Sequence, residues 1–238
     1  MLYKMKKSLN QKLIGLIEYY NLINANFLLS DSPLKRYTSK EIAMFSGTKL
    51  QKLEKLKKKI KSIKNCDLKK NATNLVFADG NAQSKIMIIG EGPGANEDKE
   101  GLPFVGRAGK LLDKMLESIS LNRRKVYISN VVNYRPPSNR KPTDIEIERY
   151  LPYLKSHIEI INPKILILLG STALNALVGN QVVISKARGK WLQKEVGSAK
   201  PWIIASFHPA FLMRQPEQKK LAWIDLKMVR DKIKSLKI

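Results

Sequence analysis

The order of apolar and polar positions divides the chain into two textures. In the segment KLQKLEKLKKKIKSIK, Leu50, Leu53, Leu56, Ile60 and Ile63 recur every three or four residues, which predicts a helix with one apolar stripe and lysines around the rest. From about residue 74 short apolar runs alternate with helical patterns, as in βαβ units around a mostly parallel sheet. KIMIIG at 85–90, VYISNVV at 126–132, KILILLG at 164–170 and PWIIAS at 201–206 read as strands. Helical spacing follows at 108–119, 143–161, 171–178 and 217–234, and Pro152 is expected to kink or split the second of these.

In an open parallel sheet, ligands bind outside the carboxyl ends of the strands. Just past the four runs lie GEGPGANED, NYRPPSNR, GSTA and FHPAFLMR. Topology alone therefore gathers Glu91, Gly92, Gly94, Asn130 and His208 at one crevice.

Composition narrows the class of partner. The 238 residues are 43% hydrophobic, enough for a folded core, and carry 44 Lys+Arg against 20 Asp+Glu, a formal charge of +24. Residues 1–70 hold 17 of those bases and 5 of the acids, so this first third supplies half of the excess. Such a field attracts polyanions without naming one, although lysine-rich usage also follows from an A+T-rich genome. One cysteine excludes an internal disulfide, and with only two histidines it argues against an all-protein zinc site. The opening residues show no signal-peptide pattern and no run reaches the length of a membrane span, so a cytoplasmic protein is expected.

The glycine loop reads G-x-G-x-G, which is neither a dinucleotide fingerprint nor a P-loop. Glu91, Glu97, Asp98 and Glu100 crowd it, and Pro93 removes an N–H that a phosphate cradle would use. A carboxylate-lined loop suits a neutral ligand read by backbone N–H groups, or a reaction that builds positive charge; an ordinary strand-to-helix turn with acids at the helix start is the plainer alternative.

GEGPGANEDKEGLPFVGRAGKLLDKML, ISNVVNYRPPSNRKPT, RGKW and FHPAFLMRQPEQKKLAWIDLK, in that order and spacing, resemble the family 4 uracil-DNA glycosylases, an iron–sulfur branch of the uracil-DNA glycosylase superfamily. The resemblance runs from about Asn74 to the C-terminus. It implies a three-layer α/β/α sandwich on a central four-stranded parallel sheet over residues 71–238, with residues 1–70 as a basic helical region packed on that core. It also implies removal of uracil from DNA by hydrolysis of the N-glycosidic bond after the nucleotide is flipped out, leaving an abasic site.

The resemblance assigns roles residue by residue. His208 is the expected donor to uracil O2 as the anion forms, joined by backbone N–H groups of the Glu91–Gly92 loop. Asn130 is the expected uracil reader, since a carboxamide offers one acceptor and one donor to N3–H and O4. Phe104 is expected to stack on the base, and Gly94 stands where other branches carry a methyl-blocking Tyr. Glu97 is left between thymine exclusion, water positioning and stabilising the sugar cation. Arg135, Arg140, Arg188 and Arg214 are expected at DNA phosphates, and Leu212 and Met213 at the position of a minor-groove wedge. His157 reads as structural.

The family binds a [4Fe–4S] cluster through four cysteines, and those positions here are Ile63, Cys66, Tyr134 and Tyr150. One thiolate does not hold a cubane that takes four, so no cofactor is expected. The expected partner is uracil-containing DNA, single- or double-stranded, acted on by a monomer, with a nucleoid-associated location. A catalytically weak homologue that retains only DNA binding is the alternative.

Overall fold

In this computed structural model, residues 46–179 and 182–238 are described, all of them within one compact unit, residues 42–238. The expectations for residues 1–45 lie outside the described residues. The elements in chain order are α1 (Lys49–Lys61), α2 (Asp67–Asn71), β1 (Asp79–Gly80), β2 (Ile86–Gly90), α3 (Ala95–Glu100), α4 (Arg107–Glu117) and β3 (Tyr127–Asn130). They continue with α5 (Asp144–Ile161), β4 (Ile165–Leu169), α6 (Ser171–Leu177), α7 (Ile184–Ala187), β5 (Trp191–Gln193), β6 (Trp202–Ser206), α8 (Pro209–Arg214) and α9 (Lys219–Leu236).

The four expected strands form the parallel centre of a six-stranded sheet of order β1-β3-β2-β4-β6-β5. Two short antiparallel edges were not anticipated: β1 pairs Asp79 with Ile128, and β5 pairs Trp191 with Ile204. Strands of two or three residues carry no readable period, so only pairing to a neighbour defines them.

Alternation along the buried strands sorts side chains to two faces. Met87, Ile89, Leu166, Leu168 and Ile203 meet α1, α5 and α6, while Ile86, Ile88, Ile165, Ile167 and Ile204 meet α4, α8 and α9. This is the three-layer α/β/α arrangement. Leu53, Leu56, Ile60 and Ile63 share the first of these cores with the sheet, so the lysine-rich helix is an integral layer element.

Two details depart from expectation. Leu50 is 62% exposed; Lys49 replaces it toward the core, and its Nζ donates to Ile161 O at 2.9 Å. Pro152 does not split α5, which runs unbroken from a capping box of Thr143 and Glu146 to a left-handed Asn162. Pro152 and Glu148 are both exposed, so the hydrogen bond lost at the proline falls on the solvent side of the helix while Tyr150, Leu154 and Ile158 hold it to the core.

Candidate active site

At the carboxyl edge of the sheet, Gly90 of β2 and Asn130 of β3 are register partners. Asn130 is 3% exposed, and its Oδ1 is the buried side-chain polar atom that lacks a hydrogen-bond partner among the described residues. An acceptor stranded in this way costs on the order of 1–3 kcal/mol unless a ligand satisfies it. A Cβ on Gly90 would lie 2.5 Å from Asn130 Oδ1 and 2.4 Å from Phe104 Cζ. The bare backbone of Gly90 is what lets the amide and the ring meet over one strand end.

Phe104 is buried with φ of 56°, a left-handed conformation that a phenylalanine adopts only when its surroundings impose it. Arg123 imposes it from behind. Its guanidinium donates to the carbonyls of Pro103 (3.1 Å) and Phe104, and pairs with Asp79 at 2.6 Å and Asp113 at 2.8 Å. Gly109 completes the seat, since a Cβ there would fall 1.7 Å from Phe104 O. The Phe104 ring stacks at 5.5 Å and 30° on the imidazole of His208.

His208 caps α8. Its Nδ1 accepts the N–H of Ala210 at 3.2 Å, which leaves the proton of the neutral ring on Nε2. Enclosure by protein, with a smaller contribution from the Arg214 charge, lowers its pKa to about 4 against a weaker opposing pull from Glu97. His208 is therefore a neutral hydrogen-bond donor near pH 7. Room for it comes from Gly170 at the end of β4, where φ is 92° and a Cβ would stand 3.1 Å from His208 Cβ.

The acidic loop is more structural than its sequence suggests. Glu97 accepts from the N–H groups of Gly94 (3.1 Å), Val105 (3.0 Å) and Gly106 (2.8 Å), tying the glycine loop to the segment after Phe104. Asp98 is buried and accepts from the backbone of Thr73 and Asn74 at 2.9 and 3.0 Å. Glu91 is half-buried and receives the Thr172 hydroxyl from the first turn of α6. Gly92 lies against the loop after β3, where a Cβ would meet Val132 Cγ2 at 2.8 Å. The crevice thus brings together Glu91, Gly92, Gly94, Glu97, Phe104, Asn130 and His208, as the strand-end argument requires.

A family model described as the uracil DNA glycosylase superfamily matches residues 77–227, a span that contains every one of these residues. The chain belongs to the uracil-DNA glycosylase superfamily. It is 42% identical over 181 residues to the type-4 uracil-DNA glycosylase of Thermotoga maritima, covering 74% of this chain and 91% of that one. Identity to the type-4 uracil-DNA glycosylase of Archaeoglobus fulgidus is 39% over 184 residues, or 76% and 92% of the two chains. A DNA polymerase of Bacillus phage SP01 is 32% identical over 151 residues, 63% of this chain but 16% of that protein. This similarity groups the protein with enzymes of the uracil-DNA glycosylase type.

Around this glycosylase crevice, the side chains expected to grip DNA divide. Arg188 is not free for a phosphate: Nε donates to Asp225 Oδ2 at 3.0 Å, Nη2 to Oδ1, and its side chain is only 12% exposed. The same Asp225 accepts from Ser206 Oγ at 2.7 Å, so the pair braces the strand end that carries His208. Arg140 is exposed but already forked onto Glu146 at 2.7 and 2.8 Å. Arg135 bonds Asn139 at 2.8 Å, and Arg214 is exposed with no ion pair among the described residues. Leu212 is 1% exposed and packs into the core, so it is not placed as the expected wedge, while Met213 is half-exposed.

Sequence reasoning missed Arg123, Thr172, Gly109 and Asp225. Only Asp225 left a readable trace: it lies three residues from Ala222 and four from Val229, an acid on the apolar stripe of a basic helix.

The four positions at which the resemblance leads one to expect cluster ligands belong to one packed core. Ile63, Cys66, Tyr134 and Tyr150 are 8%, 4%, 4% and 0% exposed, and Cys66 Sγ sits 3.4 Å from Tyr150 OH. Burial and the neighbouring Cys66 raise the pKa of both tyrosines, so they stay protonated phenols. A single thiol beside two phenols and an isoleucine does not fit a [4Fe–4S] cluster.

Proposed function

We propose that the protein excises uracil from DNA as a monofunctional glycosylase, taking the flipped nucleotide into this crevice and leaving an abasic site. The observation that carries the reading is the unpartnered Oδ1 of Asn130, walled by the Phe104 ring and the neutral His208. Uracil supplies the missing donor at N3–H, and the amide Nδ2 then faces O4. Cytosine presents an acceptor at N3 and a donor at N4 and is refused.

The chemistry follows from the same atoms. The C1′–N1 bond breaks with its electron pair moving to the base. The charge gathers on O2, where the His208 Nε2–H and backbone N–H groups of the Glu91–Gly92 loop stabilise it. Water adds its oxygen to C1′ of the cationic sugar and its surplus proton is released. Glu91, oriented by Thr172, is the carboxylate near the developing positive charge; Glu97 shapes the pocket by holding three N–H groups. No step passes through a metal, and the protein works without an iron–sulfur cluster, as a monomer on single- or double-stranded DNA.

Pure protein is incubated with a uracil-containing single strand and duplex, and abasic sites are revealed with alkali. Cleavage is expected with wild type and strong loss with Asn130→Ala and His208→Ala; no cleavage by wild type, or undiminished cleavage by both variants, overturns the reading.

A further inference from the structure

The chemistry of the crevice leaves the largest charged feature of the molecule unexplained. Residues 49–70 contain ten lysines and only two acids, Glu54 and Asp67, and Asp67 is already paired with Lys70 at 2.9 Å. Lys57, Lys58, Lys61 and Lys64 are exposed and have no ion pair among the described residues. A genome-wide lysine bias scatters charge over the surface; here it is concentrated on one helix and the turn that follows.

The course of α1 connects that charge to the active crevice. Lys49 caps Ile161 at the amino end of the sheet, where Lys164 N also bonds Lys85 O at 2.8 Å. α1 then runs antiparallel to α5, so that Cys66 reaches Tyr150 and Asn65 O accepts from Arg149 at 2.6 Å. Beyond α2, Thr73 and Asn74 are bonded to Asp98 on α3, beside the glycine loop. The lysine-bearing helix therefore climbs toward the carboxyl edge, and the chain beyond α2 reaches the helix that follows the glycine loop. It is also rigid. Arg149 clamps the turn through Lys64 O and Asn65 O, and Lys69 Nζ caps Lys61 O at 2.7 Å. Arg149 and Lys69 thus satisfy backbone carbonyls and leave the four exposed ammonium groups uncompensated.

We infer that Lys57, Lys58, Lys61 and Lys64 form a second phosphate-binding track that extends the DNA footprint from the pocket along α1. This deepens the glycosylase reading and rests on it. Lys57 to Lys61 span about 6 Å of helix rise and Lys64 follows in the next turn, while duplex DNA carries a charge about every 1.7 Å of axis, so each ammonium can meet its own phosphate. The contact is to backbone only, without base readout.

The test uses the full chain in three forms: wild type, the quadruple Lys→Gln variant at 57, 58, 61 and 64, and the matching quadruple Lys→Arg variant. Affinity for a long uracil-free duplex is measured against salt, and excision on a long duplex and on a short single-stranded uracil oligomer. The Gln variant is expected to lose about 2–4 from the slope of log affinity against log salt, at roughly 0.9 per phosphate contact. Its KM on the long duplex should rise about tenfold or more while kcat and excision from the short oligomer hold, and the Arg variant should match wild type. If four changes unfold the protein, the double variant Lys57→Gln/Lys64→Gln should give about half the slope change. An unchanged slope with excision intact overturns the track alone; absence of excision by wild type on both substrates overturns the glycosylase reading instead.

Discussion

His208 shows how a single residue is tuned by what surrounds it. With its pKa lowered to about 4 by burial, the imidazole stays neutral through the pH range in which a free histidine titrates. Its kcat should hold level as pH falls through about 6.5 and decline only toward 4, whereas an inflection near 6.5 would show a solvated ring. The sign for stability follows. The unfolded state takes up the proton first, so stability is complete above about 6.5 and is lost as pH falls toward the folded value, at about 1.4 kcal/mol per pH unit for each such group. His157 contributes in the same direction: burial lowers its pKa to about 3, its Nε2 lies 2.8 Å from Tyr127 OH, and its ring stacks on Phe77 at 4.6 Å. Thermal melts between pH 7 and 4 check both, and His157→Gln should flatten part of that slope. At Asn130, removal of the orphaned acceptor by Asn130→Ala is expected to leave the fold intact and lower kcat/KM by at least about tenfold, the worth of one buried hydrogen bond in discrimination.

At the scale of elements, loops are held by groups that lie behind the crevice. The left-handed Phe104 depends on Arg123 from behind and on the bare backbone of Gly109 beneath. Gly109→Ala drives a methyl into the Phe104 carbonyl and should cost about 2–3 kcal/mol or more, read by denaturant unfolding. Arg123→Lys keeps the charge but loses the fork over two carbonyls and two carboxylates; a higher KM at near-normal stability is the expected result of steady-state kinetics. The Arg188–Asp225 pair makes the opposite kind of prediction. Asp225 is 1% exposed, and its removal leaves a largely buried guanidinium without its carboxylate, so Asp225→Ala should cost about 3–5 kcal/mol. Differential scanning calorimetry would then show a Tm lower by roughly 6–20 °C at about 2–4 °C per kcal/mol.

Across the whole molecule, one core joins a face of the sheet to α1, the turn before α2 and the loop after β3. Tyr150 is fully buried, Cys66 lies against its hydroxyl, and Tyr134 and Ile63 belong to the same cluster, so apolar packing braces these segments. Protein purified without oxygen should contain no stoichiometric iron and show no visible charge-transfer band. Tyr150→Ala, which opens a large cavity, should destabilise the fold by about 3–5 kcal/mol without changing iron content.

Much of this was fixed by local pattern. Strands buried on both faces need near-continuous apolar runs, and helices packed on one face need an apolar stripe, so the four parallel strands and the long helices were legible within a few residues. Parallel topology then sends every carboxyl end to one edge, which gathers Asn130, His208 and the glycine loop. What the chain order does not contain is which groups face each other once the layers close. Arg188 and Asp225 are 37 residues apart, and Arg123 lies 19 and 20 from the carbonyls it holds. Whether a charge points at DNA or into the core depends on the partner it finds at closure, because a buried ion demands an opposite charge while a solvated one does not. The sequence determined the four parallel strands, the edge and the chemistry brought to it; the tertiary structure decided the two short edge strands, which arginines remain free, how Phe104 is seated, and that Ile63, Cys66, Tyr134 and Tyr150 pack into one core.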